Sequence, residues 1–414
     1  MKSKVGIVSL GCPRNLVDSE NILGRLHAKG HSIVDIDKAD VAIVNTCGFI
    51  EDSKQESVDV ILDLIELKKE GKLKKIIVYG CLAQRYKDVL RKELPEVDVF
   101  VGRVSLNHVP KRFALTPRHY AYLKICEGCI NSCSFCVIPR IKGGFSSLDM
   151  DSVIKKVRDF DKERISELNI IGQDITGYGL DLYGRMQLEE VLRNVIKNAK
   201  HIGWVRLLYL HPSRVTDELI SLIKDSPKLC KYIDIPIQHI NDRILKLMHR
   251  STAKQDIMKL IEKIRKKIPG VALRTSIITG FPSETEEEFK ELLTFIEEAS
   301  FERLGAFIYS REEGTPAFDF ADQIPEKVKK ERLGAVMSLQ QDVSRKLTRK
   351  FMNRVMDVLI EEKEGASYLG RTEHDAAEVD GLVYVRSKKP LKAGSFVKVK
   401  INDTLEYDLV GEAL

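Results

Sequence analysis

The sequence has 414 residues, of which 43% are hydrophobic and 31% are charged, and its formal net charge is +6. These proportions exclude a disordered chain and predict a globular protein of two or three domains. No apolar run approaches the roughly 18 residues that cross a membrane, and the first residues turn polar too soon for a signal peptide. We therefore expect a cytoplasmic protein with no membrane partner. The modest positive charge allows contact with nucleic acid without requiring it.

The N-terminal segment, residues 1–105, predicts an α/β domain with a parallel sheet. Short β-branched runs alternate with helical patterns, in the order KVGIVSL, NLVDSENILGRLHAKG, VAIVNT, a helix from Asp52, KKIIVYG, AQRYKDVLRKEL and VDVFVG. Strands that alternate with helices are typical of parallel sheets. In such a sheet the carboxyl ends of the strands share one edge, where ligands bind.

Three cysteines each follow one of these strands: Cys12, Cys47 and Cys81. Their sulfurs should converge at the shared edge although the residues are far apart in the chain. Three unrelated buried cysteines are the alternative, since free cysteine is common in protein cores. A glycine beside each sulfur argues against that alternative. Three thiolates with one open position favour an iron–sulfur cluster over a closed structural zinc site, which takes four ligands.

After a predicted linker at 106–118, with Pro110 and Pro117, residues 119–343 return to alternating strands and helices. Six strands are predicted, at YAYLKIC, LNIIGQD, WVRLLYL, YIDIPI, VALRTSIIT and RLGAFIYS. Six strands are too few for a closed eight-stranded barrel and favour a partial (β/α) barrel. Residues 344–414 contain the short strands VMDVLIEE, SYLGRTE, LVYVRS and FVKVKI, which predict a small antiparallel β-barrel.

Four of the eight cysteines lie within eleven positions, in the stretch CEGCINSCSFC. In a reducing cytosol such a cluster is more often a metal or redox site than a set of disulfides. The loop between the two CxxC pairs is too short for a zinc ribbon. The spacing and the missing Cys-Pro ending do not fit a ferredoxin. The spacing Cys-x3-Cys-x2-Cys lets Cys129, Cys133 and Cys136 bind one [4Fe–4S] cube and leave one iron open.

This three-cysteine form, with Phe135 before the last cysteine, resembles the signature of the radical S-adenosylmethionine (SAM) superfamily. The resemblance implies that SAM binds the open iron through its amino and carboxylate groups and is cleaved to a 5′-deoxyadenosyl radical. It assigns Phe135 to the cofactor site. It also implies that Cys126 ends the first barrel strand and is not a ligand. We predict that Cys230 is not a ligand either. The cofactor then supplies the difficult chemistry, while the protein orients the target and excludes water.

Polar residues and a glycine in the predicted barrel strands or at their ends are further candidates for cofactor contact. We assign Gln173, Arg274 and Gly280 to cofactor binding. A plain role in the turn is the alternative for Gly280, although close approach of the backbone to a nucleoside also requires a small residue. Four other polar residues lie at strand ends: Asp174, His211, Gln238 and His239. For either histidine a structural hydrogen bond explains the residue as well as a substrate contact does. Ser283 and Glu286 have the spacing of a helix capping box.

Two cysteine triads followed by a small β-barrel resemble one family along the whole chain, the radical SAM methylthiotransferases. Members combine an N-terminal domain that holds an auxiliary cluster, a radical SAM barrel and a terminal TRAM domain. Onto that pattern Cys12, Cys47 and Cys81 map as ligands of the auxiliary cluster, and the second triad maps as ligands of the radical cluster. The resemblance therefore implies two [4Fe–4S] clusters and SAM as cofactors.

Within this family, the stretch SLGCPRNLVDSE is similar to the RimO branch, whose usual form has lysine in place of Arg14. The tRNA branch, MiaB and its relatives, more often has glutamine where this chain has Pro13. One departure is visible after the second triad, where family members tend to carry arginines and this chain has Ser146 and Ser147. RimO enzymes add a methylthio group to the β-carbon of one aspartate in ribosomal protein S-twelve. The resemblance therefore implies that protein, or the small ribosomal subunit, as partner.

The resemblance also implies two uses of SAM. One molecule methylates a sulfur carried on the auxiliary cluster. The other yields the radical that removes hydrogen from the aspartate β-carbon, which then takes up the methylthio group. A flavodoxin- or ferredoxin-type protein is the expected reductant.

Methylthiolation of tRNA is the alternative activity, and a non-catalytic iron–sulfur RNA-binding protein is the alternative outside enzymes. From Val355 to the end there are eight Lys and Arg against twelve Asp and Glu, a net charge of −4. A barrel that grips RNA should be basic, so this composition favours a basic protein partner. The basic tracts KVKKERLG and SRKLTRKFMNR just before it leave nucleic acid as a secondary contact. A non-catalytic protein would leave the Cys-x3-Cys-x2-Cys spacing without a purpose.

Overall fold

The computed structural model describes residues 2–102 and 111–414 and has the mixed α/β fold that the sequence predicts. Of the predicted linker, residues 106–110 lie outside the described residues, while 111–118 contain neither helix nor strand. Within the described residues, no helix is both long and apolar enough to cross a membrane.

The N-terminal part is a parallel sheet of five strands with helices packed against it, as predicted. Its elements are β1 (Lys4–Ser9), α1 (Pro13–Ala28), β2 (Ser32–Ile33), β3 (Val41–Thr46), α2 (Glu51–Lys69), β4 (Lys75–Gly80), α3 (Cys81–Glu93) and β5 (Val99–Val101). The strand order is β2-β1-β3-β4-β5. Val44, Ile76 and Val78 from the sheet form one core with Ile61 and Leu64 of α2. This core fixes the carboxyl ends of β1, β3 and β4 side by side.

The central part contains six parallel strands in two sheets, β10-β9-β6 and β11-β12-β13. Its elements are β6 (Tyr120–Lys124), β7 (Cys126–Glu127), α4 (Ile138–Lys142), β8 (Ser146–Ser147), α5 (Met150–Lys162), β9 (Glu167–Ile171), α6 (Leu180–Tyr183), α7 (Leu188–Asn198), β10 (Trp204–Leu207), α8 (Asp217–Asp225), β11 (Tyr232–Asp234), α9 (Asp242–Leu247), α10 (Lys254–Lys267), β12 (Ala272–Thr279), α11 (Glu286–Ala299), β13 (Arg303–Ile308) and α12 (Glu326–Thr348). A parallel bridge between Val205 and Leu229 connects the two sheets. The six strands therefore form the predicted partial barrel.

The C-terminal part is a closed barrel with strand order β14-β15-β16-β18-β17. Its strands are β14 (Val355–Glu364), β15 (Ser367–Arg371), β16 (Val383–Arg386), β17 (Phe396–Thr404) and β18 (Leu409–Ala413). The barrel confirms the predicted fold with two differences. The sequence pattern does not predict β18, since Gly411 interrupts its short apolar run, and β18 pairs with β16 in parallel. The predicted boundary at residue 344 falls inside α12.

The start of α11 differs from the sequence prediction. Its capping box consists of Thr285 and Glu288, whereas the sequence spacing also fits Ser283 and Glu286. Ser283 has φ +63°, in the left-handed region. An N-cap residue takes an extended conformation instead, as Thr285 does with φ −82° and ψ 170°. The prediction of the earlier pair was therefore wrong.

The C-terminal barrel covers the amino-terminal ends of the central strands. Ala376 and Ala377, between β15 and β16, pack with Tyr120, Trp204 and Tyr232, the residues at which β6, β10 and β11 begin. We call residues 372–380 the floor segment. Its apolar residues fill the base of the partial barrel, so the two parts share one buried core.

Buried ion pairs join the floor segment to the barrel. Asp375 pairs with Arg303, the first residue of β13, and Asp380 pairs with Arg274 of β12. The hydroxyl of Tyr232 also donates to Asp380 at 2.7 Å. Burial alone would raise the pKa of Asp375, but Arg303 and the hydroxyl of Thr372 hold that pKa below its ordinary value. Asp375 is therefore a buried anion that neutralises a buried cation.

A second buried network continues from this base. Glu167 accepts from Arg206 at 2.8 Å and from Arg371 of the C-terminal barrel at 2.6 Å. Arg371 also donates to Glu361 at 2.7 Å. Glu167 and Arg206 are fully buried, and Arg371 is nearly so. Such charges are tolerated in a protein interior only when they are paired.

We expect Asp375→Ala to destabilise the protein by about 3–5 kcal/mol, because it leaves the buried Arg303 guanidinium without its carboxylate. The matched control is Asp357→Ala, which removes an exposed pair with Lys398 at 2.7 Å and should cost less than about 1 kcal/mol. Urea unfolding followed by circular dichroism measures both. Equal losses in the two variants would contradict the role given to the floor segment.

Candidate cluster-binding sites

The first cysteine triad lies at the carboxyl edge of the N-terminal sheet. Cys12 caps α1, Cys47 directly follows β3, and Cys81 directly follows β4. Because β1, β3 and β4 are neighbours in the sheet, the three thiols come to one place. Cys81 is close enough to the other two for their charges to act on its pKa. All three cysteines are free.

Glycines next to Cys12 and Cys81 let the chain segments that carry the first triad approach one another closely. Gly11 has φ +85° and Gly80 has φ +104°, both in the left-handed region that favours glycine. A Cβ atom on Gly11 would lie 3.1 Å from the sulfur of Cys47. A Cβ atom on Gly80 would lie 2.5 Å from Oδ1 of Asn45. A larger residue at either position would push the edge of the triad apart.

Asn15 of α1 ties the helix to this edge. Its amide nitrogen donates to the carbonyl of Leu10 at 3.0 Å and lies 3.3 Å from the carbonyl of Thr46. The sulfur of Cys81 lies 3.7 Å from Oδ1 of the same side chain. One buried side chain thus joins the helix, two strand ends and one thiol.

The second triad lies in the loop after β7, at the carboxyl end of the central strands. Cys129, Cys133 and Cys136 are all half-buried and free. The side-chain amide of Asn131 donates to the sulfur of Cys129 at 3.2 Å, and Arg250 donates to that of Cys133 at 3.7 Å. Burial raises the pKa of Cys136 to about 12. A bound metal would supply the positive charge that favours the thiolate at this position.

Both triads fit iron–sulfur clusters. Among the described residues, no three His, Cys, Asp or Glu side chains converge as ligands of a single metal ion. A four-iron cube binds each thiolate at a different iron, so its ligands stand apart from one another. A four-iron cube held by only three thiols would have one iron open to a further ligand.

Cys126 and Cys230 occupy core positions. The fully buried sulfur of Cys126 donates to the carbonyl of Asp174 at 3.6 Å. A Cβ atom on Gly172 would lie 2.4 Å from it. Cys230 lies in the barrel interior, where burial raises its pKa to about 12. This packing supports the prediction that neither thiol is a ligand.

We expect Cys126→Ala and Cys230→Ala each to keep the iron content of the unmodified protein, because neither sulfur belongs to a triad. Each variant should lose about 1 kcal/mol of stability through lost packing. Iron analysis after anaerobic reconstitution measures the first effect, and thermal unfolding measures the second. Loss of iron from either variant would show that the ligand assignment is wrong.

Gln173 and Phe135 lie beside the second triad. Gln173 directly precedes Asp174, whose charge acts on the pKa of Cys129. Oε1 of Gln173 is buried and has no hydrogen-bond partner among the described residues. A bound ligand would satisfy such an atom. Phe135 packs against the cluster that contains Phe281. Their assignment to the cofactor remains a prediction that these positions support.

Arg274 and Gly280 have structural contacts instead. Arg274 is the third residue of β12, about 16 Å along the strand from its carboxyl end. It pairs with Asp380 and lies 3.9 Å from Asp234. Gly280 has φ +70°, and a Cβ atom there would lie 2.4 Å from the side chain of Lys329. A cofactor contact by either residue stays a prediction. The structure gives Arg274 a role in an ion pair and Gly280 a role in a tightly packed turn.

Further polar residues surround the second triad. Asp174 pairs with Arg214 and accepts from Asn131 at 2.8 Å. Burial, followed by the charges of Arg250 and Arg214, lowers the pKa of His211 to about 3, so that this histidine is neutral. Arg214 also donates to Oδ1 of Asn131 at 2.8 Å, so two guanidinium groups stand beside the cysteine motif. Asn131 stands inside the cysteine motif and could have been predicted, whereas no sequence pattern marks Arg214 or Arg250.

The other strand-end residues have structural partners. Nε2 of His239 lies 3.1 Å from the carboxylate of Glu284, and both side chains are fully buried. Gln238 has φ +74° and bonds through its backbone to Ser276 and Ile278. For His239 the structural explanation is the one that these contacts favour.

Arg14 connects the two triads. Its Nε donates to the sulfur of Cys12 at 3.4 Å, and its Nη1 donates to the carbonyl of Gly172 at 2.9 Å. The guanidinium carbon lies 4.3 Å from the centroid of the Tyr209 ring. Its charge also lowers the pKa of Cys136, against the larger effect of burial. The two triads therefore face each other across the junction of the N-terminal sheet and the central barrel.

Three family models match consecutive parts of the chain. Residues 4–102 match the Uncharacterized protein family UPF0004, residues 123–296 match the Radical SAM superfamily, and residues 354–414 match the TRAM domain. The Radical SAM match covers the second triad and implies a [4Fe–4S] cluster and SAM as cofactors of its members.

Curated relatives match over the full length. A protein of Clostridioides difficile named "Ribosomal protein uS12 methylthiotransferase RimO" is 46% identical over 439 residues, which covers 99% of each chain. A protein of the same name from Caldanaerobacter subterraneus subsp. tengcongensis is 46% identical over 435 residues, covering 99% of each. Another from Clostridium novyi is 44% identical, covering 99% of this chain and 97% of the relative.

Similarity to a solved structure supports the fold of this chain and does not bear on its activity. The radical SAM methyltransferase TsrM from Kitasatospora setae superimposes with a TM-score of 0.54 at 14% identity. The match covers 77% of this chain and 74% of TsrM.

Proposed function

The chain belongs to the radical SAM methylthiotransferase family, in its RimO branch, and from this premise we propose that it methylthiolates ribosomal protein uS12 in the cytoplasm. The proposed target atom is the β-carbon of one aspartate. The relatives named for this activity match the chain from end to end. Their shared name supports an enzyme over a non-catalytic iron–sulfur RNA-binding protein.

One observation carries the proposal: the two cysteine triads face each other across Arg14. A methylthio group held at one triad and a radical formed at the other must meet the same substrate carbon. Arg14 contacts both Cys12 and Gly172 of the barrel, so in this proposal the substrate carbon would be held at the junction that Arg14 spans. Close placement of the reacting groups is what converts two separate reactions into one transfer.

In this proposal the second triad holds the cluster that binds SAM, and the first triad holds an auxiliary cluster. When bound, these groups supply a 5′-deoxyadenosyl radical and a transferable methylthio group, using two SAM molecules and electrons from a flavodoxin- or ferredoxin-type reductant. The chain's own residues hold and orient them. Asn131 and Arg250 fix the sulfurs of Cys129 and Cys133, and the buried walls of the barrel exclude water.

The charge of the C-terminal barrel indicates which kind of macromolecule it would contact. Its net charge of −4 suits a basic ribosomal protein better than an RNA backbone. Asp375 and Asp380 are already paired with barrel arginines, so the partner would meet the remaining acidic residues. Nucleic acid is then at most a secondary contact of the basic helix α12.

The test is mass spectrometry of uS12 and of tRNA nucleosides from cells with and without the gene. We expect one aspartate of uS12 to carry a methylthio group in place of hydrogen only when the gene is present. The located aspartate is then replaced by alanine, as a matched control substrate for the purified enzyme. A methylthiolated adenosine that depends on the gene, with unmodified uS12, would assign the chain to the tRNA reaction instead.

A further inference from the structure

Residues 309–317 follow β13, the last strand of the partial barrel, and contact the chain segments of both cysteine triads. We call them the bridging loop. On the barrel side, the backbone amide of Ala317 donates to the carbonyl of Ser134 at 2.9 Å. Phe135 packs against the buried cluster that contains Tyr309. Ser134 and Phe135 stand between the last two cysteines of the second triad, so the bridging loop is attached directly to that segment.

Glu312 reaches from the bridging loop into the N-terminal part. One oxygen of its buried carboxylate accepts from Arg85 of α3 at 2.6 Å and from Lys54 of α2 at 3.2 Å. The other oxygen accepts from the hydroxyl of Ser310 at 2.6 Å. Two cations of the N-terminal part therefore meet one anion of the barrel.

Arg85 continues this contact to the segments of the first triad. It lies four residues after Cys81 on α3. Its Nη1 also donates at 3.1 Å to the carbonyl of Gly48, the residue directly after Cys47. Its Nη2 donates to the carbonyl of Glu313 in the bridging loop at 3.1 Å. One guanidinium group thus joins the segments of two triad cysteines to the bridging loop.

The carboxylate of Glu312 stays charged in this buried place. Burial would raise its pKa, but the hydrogen bonds from Ser310 and Arg85 hold that pKa below the ordinary value. A buried ion pair that loses one partner leaves the other charge uncompensated. A neutral side chain at position 312 would therefore weaken the junction between the bridging loop and the N-terminal part.

The N-terminal part is also held on the barrel at a distant strand. Nη1 of Arg14 donates at 2.9 Å to the carbonyl of Gly172, the residue directly after β9. The bridge between the two sheets gives the barrel the strand order β6-β9-β10-β11-β12-β13. The contacts of Arg14 and of Glu312 are therefore made beyond the second and the sixth strand. Contacts on separated strands restrict rotation of the N-terminal part about either of them.

We propose that Glu312 is a positioning residue that holds the first triad at a fixed distance from the second and thereby couples methylthio transfer to radical formation. The inference rests on the proposed function, in which both triads serve the same substrate carbon. Glu312 acts through Arg85 and Lys54 and has no part in SAM cleavage itself. A displacement of about 1 Å between reacting groups is enough to slow a transfer roughly a hundredfold.

The test compares two products of the reconstituted full-length enzyme with dithionite, SAM and uS12. Glu312→Gln keeps the shape of the side chain and removes its charge. This variant should form 5′-deoxyadenosine within about twofold of the unmodified rate, whereas methylthiolated uS12 should fall about tenfold or more. The matched control is Glu313→Gln, the same change at an exposed neighbour in the bridging loop, and its ratio of nucleoside to modified protein should stay unchanged.

Amide hydrogen exchange of the same reconstituted proteins gives a readout that does not depend on activity. The amides of the bridging loop should exchange about tenfold faster in Glu312→Gln than in Glu313→Gln, because contacts across the junction are weakened. The amide of Glu51 should respond in the same way, since it donates across the junction to the hydroxyl of Ser310 at 3.3 Å.

An unchanged product ratio in Glu312→Gln would overturn the inference, as would an equal rise in Glu313→Gln. Equal loss of both products would also overturn it, because that is the result of a purely structural role. An unmodified enzyme that forms the nucleoside and no methylthiolated uS12 would overturn the proposed function instead, while the exchange measurement would still test the junction.

A second pair of variants applies if Glu312→Gln does not fold. Lys54→Met removes one of the two cations from Glu312 and leaves Arg85 in place. Its control is Glu51→Gln, since the exposed carboxylate of Glu51 lies 2.5 Å from the same Lys54 ammonium group outside the buried contact. The product ratio should rise in Lys54→Met alone, and equal ratios in both variants would overturn the inference.

Discussion

Replacing Cys129, Cys133 and Cys136 together by alanine is expected to abolish the cleavage of SAM to 5′-deoxyadenosine. The reaction needs a cluster with an open iron beside the barrel, and these three sulfurs are the proposed ligands. Iron content should fall by half, from about eight to about four per chain, since one of two four-iron cubes is lost. Chromatography of the anaerobic reaction with dithionite measures the nucleoside, and iron analysis measures the cubes.

The control for this experiment is Cys126→Ala, which removes a sulfur from the same stretch of chain without touching the triad. It should form 5′-deoxyadenosine at a rate close to that of the unmodified enzyme. Full iron content in the triple variant, or radical cleavage by it, would show that the second triad is not the SAM site.

Replacing Cys12, Cys47 and Cys81 by alanine should leave SAM cleavage intact and abolish methylthiolation. The variant should still cleave SAM, because the second triad lies in the barrel and keeps its own ligands. It should form no methylthiolated uS12, because the proposed carrier of the methylthio group is lost. The two products are measured in one reaction, the nucleoside by chromatography and the modified protein by mass spectrometry.

Cys230→Ala is the matched control here, since it removes one buried thiol outside the triads and should still form the product. Methylthiolated uS12 from the variant without the first triad would refute the division of labour between the two sites. Loss of both activities would indicate that the N-terminal part is needed to hold the barrel in its active form, and would also count against that division.

The elements that carry the site could be predicted because their signals are local. The runs VGIVSL, VAIVNT and IIVYG each contain enough β-branched residues to predict a strand. At the end of each run a cysteine stands next to a glycine, in the order Gly-Cys after the first, Cys-Gly after the second and Gly-Cys at the end of the third. Parallel alternation then places Cys12, Cys47 and Cys81 at one edge without knowledge of any tertiary contact. The second triad could be predicted from the spacing of its cysteines alone.

The partners of buried charges could not be predicted in this way. Arg274 looks like a candidate for the cofactor because it is a cation inside a barrel strand, but Asp380, 106 residues later, pairs with it. The acidic count of the C-terminal barrel likewise includes Asp375 and Asp380, which face the barrel. Sequence gives the number of charges, and only the fold shows which of them meet.

The floor segment also determines when the enzyme can finish folding during synthesis. Arg303 is made 72 residues before Asp375, and Arg274 is made 106 residues before Asp380. A nascent chain folds from its N-terminus, so these guanidinium groups are present before their carboxylates exist. Their burial without partners is strongly unfavourable, and the central core must stay open at its base until translation reaches the final strands. A chain that terminates after α12 would remain in that open state and be exposed to cellular proteases.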